Sequence, residues 1–464
     1  MLSTVTRNPH ESFSTKNWDL YLQVTALTLT ACLLGWMIAS EKWLLVAGLV
    51  ALLLLIVRPI EVALGLYAFL IPFESMTTMD NGSGQAETLL KYVGLLALFV
   101  TVVVGWIRER IMRPPRTALF WSLFVFWGGV STLWAINQKE ALYRMPTALG
   151  LWLLYMAIVS VRLTAKELSC ITQLIMFGGI AASMYSAYAF FESGSAIGRV
   201  SLAEGSTLSD PNFFAATLLL PLSLASGEVL LSSAWWHRAL STAGTGVIAL
   251  AVLLTMSRGA VLAVITIVSV FLLRLRMNWR LLLPVVALGA GLLFMPRLFF
   301  ERVQEASTSR VSGRQDIWIA GIHSLESYGA FGAGVDNFSR AYQRYKGTTS
   351  FFAGDQRDAH NIYLCTAVEL GIVGFLFLFK AVSSHLRAFP RPSRKRSTSV
   401  RLVAFEAACW GMLVMGFSLD LLWRKAFWFV WAVSALAVHG EQSDESRDID
   451  STVIGAPYVM RAYR

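Results

Sequence analysis

The chain has 464 residues, of which 56% are hydrophobic and only 15% are charged. An average soluble domain has about 25% charged residues, so these side chains could not cover the surface of a water-soluble protein of this length. The composition therefore excludes one large soluble enzyme, a disordered chain and a fibrous repeat. A mean hydropathy of +0.58 instead indicates a membrane protein with many spans. The net charge of +10 comes from short basic clusters between apolar runs, which is typical of membrane topology rather than of nucleic-acid binding.

Apolar segments long enough to cross a bilayer as helices recur along the chain. A crossing needs about 20 residues, with a range of about 17–25. The sequence therefore predicts an all-α fold, a polytopic transmembrane helix bundle of about 12–14 spans. Fourteen segments are long enough or nearly so, but two short early ones could be re-entrant, so the number of spans lies between twelve and fourteen. The segments lie at 20–39, 42–57, 60–72, 88–107, 117–135, 144–161, 167–191, 211–231, 239–257, 258–275, 279–296, 361–382, 400–421 and 423–439.

The basic linkers between these segments all fall on one side of the membrane. The positive-inside rule makes that side cytoplasmic, together with both termini. This topology predicts N-terminal transmembrane helices over 1–296 and a large extracytoplasmic loop over 297–360. C-terminal transmembrane helices over 361–440 and a disordered cytoplasmic tail over 441–464 complete the organisation. The basic linker residues are Arg108, Arg110, Arg113, Arg116, Arg162, Lys166, Arg238, Arg274, Arg276, Arg280, Arg387, Arg391, Arg394, Lys395 and Arg396.

The 297–360 loop is predicted to contain short helices. Residues 315–327 favour a helix with Trp318, Ile322 and Leu325 on one face. A glycine-rich turn follows at Gly329, Gly332 and Gly334. Structured loops of this length are usually functional.

Two arginines are candidate site residues on the outer side. Ser257-Arg258-Gly259 joins two apolar spans, and Arg258 must face water or a partner because a lipid-facing arginine is costly. The alternative for Arg258 is a snorkelling anchor. Gly259 and Ala263 form a small-xxx-small pair that favours close helix packing. Gly313-Arg314, followed by Trp318, lies in the loop, where a solvated charge is the alternative for Arg314.

His360-Asn361 opens the span after the loop. On an ideal helix, Gly371 and Gly374 fall within about 40° of the His360 direction, so the face beneath His360 is smooth. Either another helix packs there or a lipid-like substrate runs along it. A neutral imidazole at this position suits general-base chemistry, and a structural helix cap is the alternative.

Two further polar groups lie at outer span ends. Asp210-Pro211-Asn212 has the residues that a helix start prefers, so a structural role is favoured there. The last outer hairpin contains Asp420, Arg424 and Lys425, a set consistent with a charged turn.

The histidine segment resembles a known family pattern. His360-Asn361, then nine residues, then Gly371-Ile-Val-Gly374 is similar to the H-[N/S/Q]-x9-G-x-x-G pattern of the O-antigen ligase family, which shares a superfamily with Wzy-type polysaccharide polymerases. The Arg258 and Arg314 segments and the Asp210-Pro211-Asn212 start also look like family elements. The resemblance covers residues 200–380.

The resemblance implies a multi-pass enzyme of the bacterial inner membrane with its site facing the periplasm. The donor is a glycan on undecaprenyl diphosphate. The acceptor is a hydroxyl of the lipid A core in ligases, or of another lipid-linked glycan in polymerases. Membrane lipids are further partners, and nucleic acid is not. The sequence contains no HExxH or P-loop motif and no paired cysteine spacing, so we expect no cofactor and no metal.

Each candidate residue can be given a role in that reaction. Arg258 and Arg314 would neutralise the leaving diphosphate, and His360 would accept the proton of the acceptor hydroxyl, with inversion at the anomeric carbon. The polyprenyl tail would lie along the glycine face beneath His360. The residues predicted to bind substrate are Asp210, Asn212, Asn361 and Trp318.

Three other functions remain open at this point. A Wzy-type polymerase would use the same chemistry with a different acceptor. A lipid or solute transporter would explain the spans, but the sequence shows no repeated halves or paired broken helices. A metal-dependent oligosaccharyltransferase would use carboxylates of the loop, namely Asp316, Asp336, Asp355 and Asp358.

Overall fold

A computed structural model describes residues 56–76, 78–80, 86–192, 200–202, 210–276, 314–348, 357–391 and 399–454. The chain divides into two units, Met1–Val62 and Ala63–Arg464, and only residues 56–62 of the first are described. The predicted spans at 20–39 and 279–296, and nearly all of 42–57, lie outside the described residues. So do Gly313, Asp355 and the rest of the 297–313 and 349–356 segments.

The described part of the chain is predominantly helical. Two 3-10 turns, Ile71–Phe73 and Lys346–Thr348, adjoin helices. One short antiparallel hairpin, β1 (Thr78–Asp80) with β2 (Ala86–Thr88), places Thr78 opposite Thr88. The helices are α1 (Pro59–Leu70), α2 (Leu89–Ile107), α3 (Arg116–Ser131), α4 (Gln138–Val159), α5 (Ala165–Glu192), α6 (Pro211–Leu231), α7 (Trp235–Leu254), α8 (Arg258–Leu275), α9 (Arg314–Tyr328), α10 (Phe338–Tyr345), α11 (Ile362–Ala388), α12 (Val400–Met415) and α13 (Lys425–Ile454).

Seven of the described helices are long and apolar enough to cross a membrane. They are α2, α4, α5, α6, α7, α8 and α11. The protein is thus a multi-pass, all-α helix bundle, as the composition predicts. Helices α3 and α12 occupy predicted spans but end several residues earlier than expected, at Ser131 and Met415.

The last helix differs from the predicted disordered tail. Helix α13 continues through Ile454, so the expected disorder is wrong for 441–454. Nucleation is the costly step of helix formation, and after it each added residue gains one backbone hydrogen bond. A helix that starts inside the bundle can therefore continue into a polar segment. Residues 455–464 lie outside the described residues.

Helices α8 and α12 pack closely at small residues. A Cβ on Gly259 would meet the Ser418 side chain and would lie 3.3 Å from the Met415 sulfur. A Cβ on Gly411 would lie 2.9 Å from Ile267. The close packing predicted from Gly259 and Ala263 is therefore confirmed, with α12 as the partner helix.

Helix α11 is broken at Gly371, which has φ 65° and ψ −169°. The break frees backbone carbonyls that other segments satisfy. The Val368 oxygen accepts from the Ala333 N–H at 2.8 Å, and the Glu369 oxygen accepts from the Gly334 N–H at 2.9 Å. The Leu370 oxygen accepts from the indole N–H of Trp127, also at 2.9 Å. A broken spanning helix requires such replacement partners.

The glycine face of α11 is therefore covered. The 329–334 turn packs into the break, and a Cβ on Gly374 would lie 3.1 Å from Trp127. The ideal-helix projection of the two glycines beneath His360 is wrong, because the helix breaks at Gly371 and starts only at Ile362. Within the described residues, this face is therefore not the smooth, open surface that the sequence predicts.

We expect Gly371→Ala to destabilise the protein. Its backbone conformation is open only to glycine and costs other residues about 1–3 kcal/mol. A Cβ would also collide with the backbone of Ala330 and would lie 2.7 Å from the Gly332 nitrogen. Thermal unfolding of the purified protein in detergent measures the loss. Gly246→Ala is the matched control, because no atom lies within 4 Å of its added Cβ. Equal melting temperatures for the two variants would contradict this account of the break.

Candidate active site

The described part of the loop forms a lobe on the first turns of α11. Helices α9 and α10 share an apolar core with Cys365 and Val368 of α11. The predicted face of α9 is partly wrong, because Ile322 is 58% exposed. Asp316, Ile317, Ala320, Gly321 and Ser324 are buried instead.

Polar contacts hold this lobe against the α3–α4 hairpin. Arg144 pairs with Asp336 at 2.7 Å, and Arg340 makes a forked ion pair with Glu140. The side-chain oxygen of Asn337 also accepts from the backbone N–H of Asn137, at 2.7 Å. The lobe is therefore fixed by side chains far apart in the sequence.

The backbone around His360 is fixed on both sides. The Ala359 carbonyl accepts from the indole N–H of Trp318 at 2.9 Å. The Asn361 side chain caps α11 by accepting from the N–H groups of Tyr363 and Leu364, at 3.0 and 3.1 Å. His360 itself has φ 44°, a left-handed conformation that is uncommon outside glycine.

These contacts separate the roles of neighbouring residues. The cap of α11 is Asn361, so a capping role does not account for His360. The indole N–H of Trp318 is engaged by Ala359, which gives that residue a positioning contact where the sequence predicts substrate binding. Asn361 likewise uses its side-chain oxygen within the helix start.

The other candidate residues also lie at helix starts. Asp210 caps α6 and accepts from both the backbone N–H and the side-chain amide of Asn212, at 2.7 and 2.8 Å. Ser257 caps α8, and its hydroxyl accepts from the Ala260 N–H at 3.3 Å. Arg258 and Arg314 are the first residues of α8 and α9.

Charged side chains at these helix starts interact electrostatically with one another. Burial lowers the pKa of Arg314, the charge of Asp210 raises it and the charge of Arg258 lowers it. Burial lowers the pKa of His360 most, and the positive charge of Arg314 lowers it further. The negative charges of Asp358 and Asp210 raise it. The structure therefore brings together all four residues that the sequence singles out on separate segments.

The two arginines differ from other cations of the described chain. Within the described residues, the guanidinium groups of Arg258 and Arg314 have no hydrogen bond and no carboxylate at ion-pair distance. Several other cations are paired: Arg110 with Glu167, Arg144 with Asp336, Arg274 with Glu406, Arg340 with Glu140 and Lys425 with Glu74. Two neighbouring guanidinium groups at helix N-termini form a setting that favours an anion.

Asp420 joins the site from the α12–α13 hairpin, where the sequence favours only a charged turn. Its carboxylate accepts from the Cys365 thiol at 3.5 Å and from the Leu422 N–H at 3.2 Å. The negative charge of Asp420 raises the pKa of His360, and burial raises the pKa of Asp420 itself. The sequence signal that could have identified Asp420 is an acidic residue at the outer end of a predicted span.

The carboxylates of the metal-dependent alternative are dispersed. Asp336 is bound by Arg144, and Asp316 is buried in the first turn of α9. Within the described ranges, no three histidine, cysteine or acidic side chains are grouped closely enough to hold a metal ion.

Residues 243–379 match a family model described as O-antigen ligase. This segment of the chain is similar to the O-antigen ligase family. It contains Arg258, Arg314 and His360 together with the glycines of the α11 break. The family resemblance is thereby confirmed, and the domain belongs to membrane enzymes of the ligase and polymerase type. No curated protein matches the chain.

We expect Trp318→Phe to lower kcat about tenfold with little change in KM. The phenyl ring keeps the packing, but the Ala359 carbonyl loses its donor, which costs about 1–3 kcal/mol if it stays buried, and a displaced His360 lowers the rate. Steady-state kinetics on the purified protein measure both constants. Trp236→Phe, at a 55% exposed position, is the control. A change in KM alone would instead favour the substrate contact predicted from the sequence.

Proposed function

We propose that this O-antigen ligase domain transfers a glycan from a polyprenyl diphosphate, of the undecaprenyl type, to an acceptor hydroxyl. The observation that carries the proposal is the pair Arg258 and Arg314. Neither has a carboxylate at ion-pair distance within the described residues, the two guanidinium groups interact with each other, and Arg314 interacts with His360. Two unpaired guanidinium forks suit a diphosphate, and the adjacent imidazole suits a hydroxyl group.

The proposed reaction is a single displacement without a metal or cofactor. The acceptor oxygen bonds to the anomeric carbon of the donor sugar, and the bond from that carbon to the diphosphate oxygen breaks. The electron pair remains on the diphosphate, where Arg258 and Arg314 stabilise the growing charge. His360 takes the hydroxyl proton. Attack opposite the leaving group inverts the anomeric centre.

The remaining polar residues have supporting roles in this proposal. Asp420 positions His360 electrostatically and is itself held by the Cys365 thiol. Asp210 balances the charge of Arg314 and, with Asn212, shapes the donor side of the site. Trp318 and Asn361 hold the backbone that carries His360.

We place the site on the outer face of the bacterial inner membrane. The basis is the distribution of basic linkers, which puts the 297–360 loop outside. Reporter fusions at Gly354 and Ser393 test this orientation. A reporter that is active outside the membrane at Ser393 but not at Gly354 would overturn it.

Reconstitution of the purified chain tests the reaction. The assay supplies a polyprenyl-diphosphate glycan, excess chelator and one of two acceptors, a lipid A core or a second lipid-linked glycan. Product on the lipid A core would make the chain a ligase, and product on the lipid-linked glycan would make it a polymerase. Transport of the donor without a new glycosidic bond would contradict the proposal, and turnover lost with chelator would contradict its metal-free form.

A further inference from the structure

Two basic segments lie at the end of the bundle opposite to the candidate active site. Helix α4 begins beside the lobe, after its cap Asn137, and ends 22 residues later, about 33 Å away at 1.5 Å per residue. A hydrocarbon core is about 30 Å thick, so this end lies at the other face of the membrane. Here residues 108–116 lead from α2 into α3, and residues 160–166 lead from α4 into α5.

The two segments are joined to each other. An isolated antiparallel bridge places Ile111 opposite Val161, with backbone hydrogen bonds of 2.8 and 2.9 Å on its two sides. A guanidinium N–H of Arg110 also donates to Glu167 at 2.6 Å, and the second carboxylate oxygen of Glu167 accepts from the Thr164 N–H at 2.8 Å. Two segments about 50 residues apart in the sequence are therefore held as one ordered unit.

This unit carries an excess of unpaired positive charge. Its acids are Glu109, which is exposed, and Glu167, which is taken by Arg110. Five further cations are exposed, and within the described part of the chain none of them has an ion pair. We call these five the basic patch: Arg108, Arg113, Arg116, Arg162 and Lys166.

The start of α3 adds to this positive charge. Helix α3 begins at Arg116, has no acidic residue in its first turn and has no side-chain cap at Pro115. The N–H groups at a helix start carry a positive partial charge and favour an anion. An arginine at that position is unfavourable by itself, so a bound anion would relieve the repulsion.

Apolar side chains place the basic patch at the surface of the bilayer. Trp106 and Ile107 end the spanning helix α2, and both are more than half exposed, as is Ile111 of the bridge. Tryptophan is enriched where a membrane meets water, and exposed apolar groups at a span end contact lipid. Arg108 follows Ile107 directly, so the cations of the patch lie at the level of the lipid headgroups.

Membrane topology alone accounts for the sign of these charges but not for their order. The positive-inside rule requires only that basic residues stay on one side, which separate flexible linkers satisfy equally well. The bridge and the Arg110–Glu167 pair instead hold two linkers together. A site whose backbone is already ordered loses less conformational entropy when it binds a ligand.

We propose that the basic patch binds the headgroup of an anionic phospholipid, of the phosphatidylglycerol or cardiolipin type, in the leaflet at this face. The guanidinium groups would contact the phosphate oxygens, and Trp106, Ile107 and Ile111 would contact the acyl chains. The excess of cations selects an anionic over a zwitterionic lipid. The exposed apolar residues between the cations select a lipid over a soluble anion. This inference does not depend on the proposed function.

Titration with a labelled lipid tests this assignment. The purified full-length chain, in a neutral detergent, would receive phosphatidylglycerol labelled on an acyl chain, or phosphatidylcholine with the same label. We expect at least tenfold tighter binding of phosphatidylglycerol. Combining Arg108→Gln, Arg113→Gln and Arg162→Gln should raise its Kd at least tenfold, because each cation near an anionic lipid contributes about fivefold. Lysine at the same three positions keeps the charge and should keep Kd within about threefold.

Three exposed arginines on other basic linkers at the same end of the bundle provide the matched control. Arg276 follows α8, and Arg387 and Arg391 lie at the end of α11. Their joint replacement with glutamine removes the same charge and should change the Kd less than twofold. Melting temperatures in the neutral detergent check the folding of both triple variants. If the patch variant does not fold, Arg108→Gln with Arg113→Gln, compared with Arg387→Gln and Arg391→Gln, gives the same contrast.

Four results would overturn the assignment. Equal binding of the two lipids would remove the selection for an anionic headgroup. An equal loss in both triple variants would show a general attraction of basic linkers instead of a site. Displacement of the lipid by an equal concentration of glycerol phosphate would assign the patch to a soluble anion. Phosphatidylglycerol binding that appears only after neutral replacement of Asp444, Glu445 and Asp448 would make this acidic segment the occupant. Each result leaves the proposed glycan transfer untouched, because no arm measures it.

Discussion

Replacing His360 with alanine is expected to reduce glycan transfer by about 10²–10⁴-fold, because a positioned general base contributes a factor of that order. The protein should still fold, because the cap of α11 is provided by Asn361 and not by the imidazole. Turnover of the purified variant and its melting temperature, measured on the same preparation, test both statements.

The neighbouring cap residue provides the control. Asn361→Ala removes the side-chain oxygen that accepts from Tyr363 and Leu364, so it should lower the free energy of unfolding by about 0.5–2 kcal/mol. The two variants should thus differ in kind, with one losing turnover and the other stability. Wild-type turnover in His360→Ala, or a loss of folded protein without a catalytic defect, would remove His360 from the chemistry.

The pH dependence of transfer should report the same group. Burial and the charge of Arg314 lower the pKa of His360 below its usual 6.5, so the imidazole is neutral and able to accept a proton at pH 7. Activity should fall only as the pH drops through this lowered pKa, and the acid limb of kcat/KM should lie below pH 6.5. Asp358→Asn should move the limb further down, because the charge of Asp358 raises the pKa. An acid limb above pH 6.5 would contradict this assignment.

Replacing Arg258 or Arg314 with alanine is expected to cost about 3 kcal/mol of transition-state stabilisation, or a factor of about 10²–10³ in kcat/KM. Neither guanidinium has a carboxylate partner within the described residues, so the charge is available to the donor. Lysine at either position keeps the charge but loses the planar fork that binds two phosphate oxygens, and should recover only a small part of the activity. Kinetics with the lipid-diphosphate donor in excess chelator measure the series.

The control for this series is an arginine of the same lobe. Arg340 would be unsuitable, because it pairs with Glu140 and ties the lobe to α4. Arg344 is exposed and contacts only Tyr328 among the described residues, so Arg344→Ala should keep nearly full activity. If Arg258→Ala and Arg314→Ala matched Arg344→Ala, the diphosphate clamp would be wrong, and docking of the acceptor would be the role left for the lobe.

Hydropathy alone predicted the fold class and most helix positions. Apolar runs of about 20 residues have few alternatives to a membrane-spanning helix, because unpaired backbone groups are too costly in lipid. A local rule also placed the start of α6 correctly, with Asp210 as the cap before Pro211. These features depend on neighbouring residues, so they can be read without the fold.

The interior of α11 could not be predicted in this way. The sequence around Gly371 is compatible with a continuous helix. The contacts of the 329–334 turn and of Trp127 show instead that the helix is broken there and that its glycine face is covered. The partners of Arg144 and Arg340 were equally hidden, because Asp336 and Glu140 lie about 200 residues away from them along the chain. Long-range pairing depends on how helices pack, which residue spacing does not specify.

The residue types needed for the candidate site were present in the sequence by themselves: two arginines at span ends, a histidine before a helix and an aspartate at a cap. Their separation along the chain left open whether they meet. The tertiary structure decided that question by bringing the starts of α6, α8, α9 and α11 within electrostatic reach of one another, and it added Asp420. The physical reason is that the local sequence places each side chain at or beside a helix start, whereas the electrostatic interactions between these side chains arise only when the helices pack together.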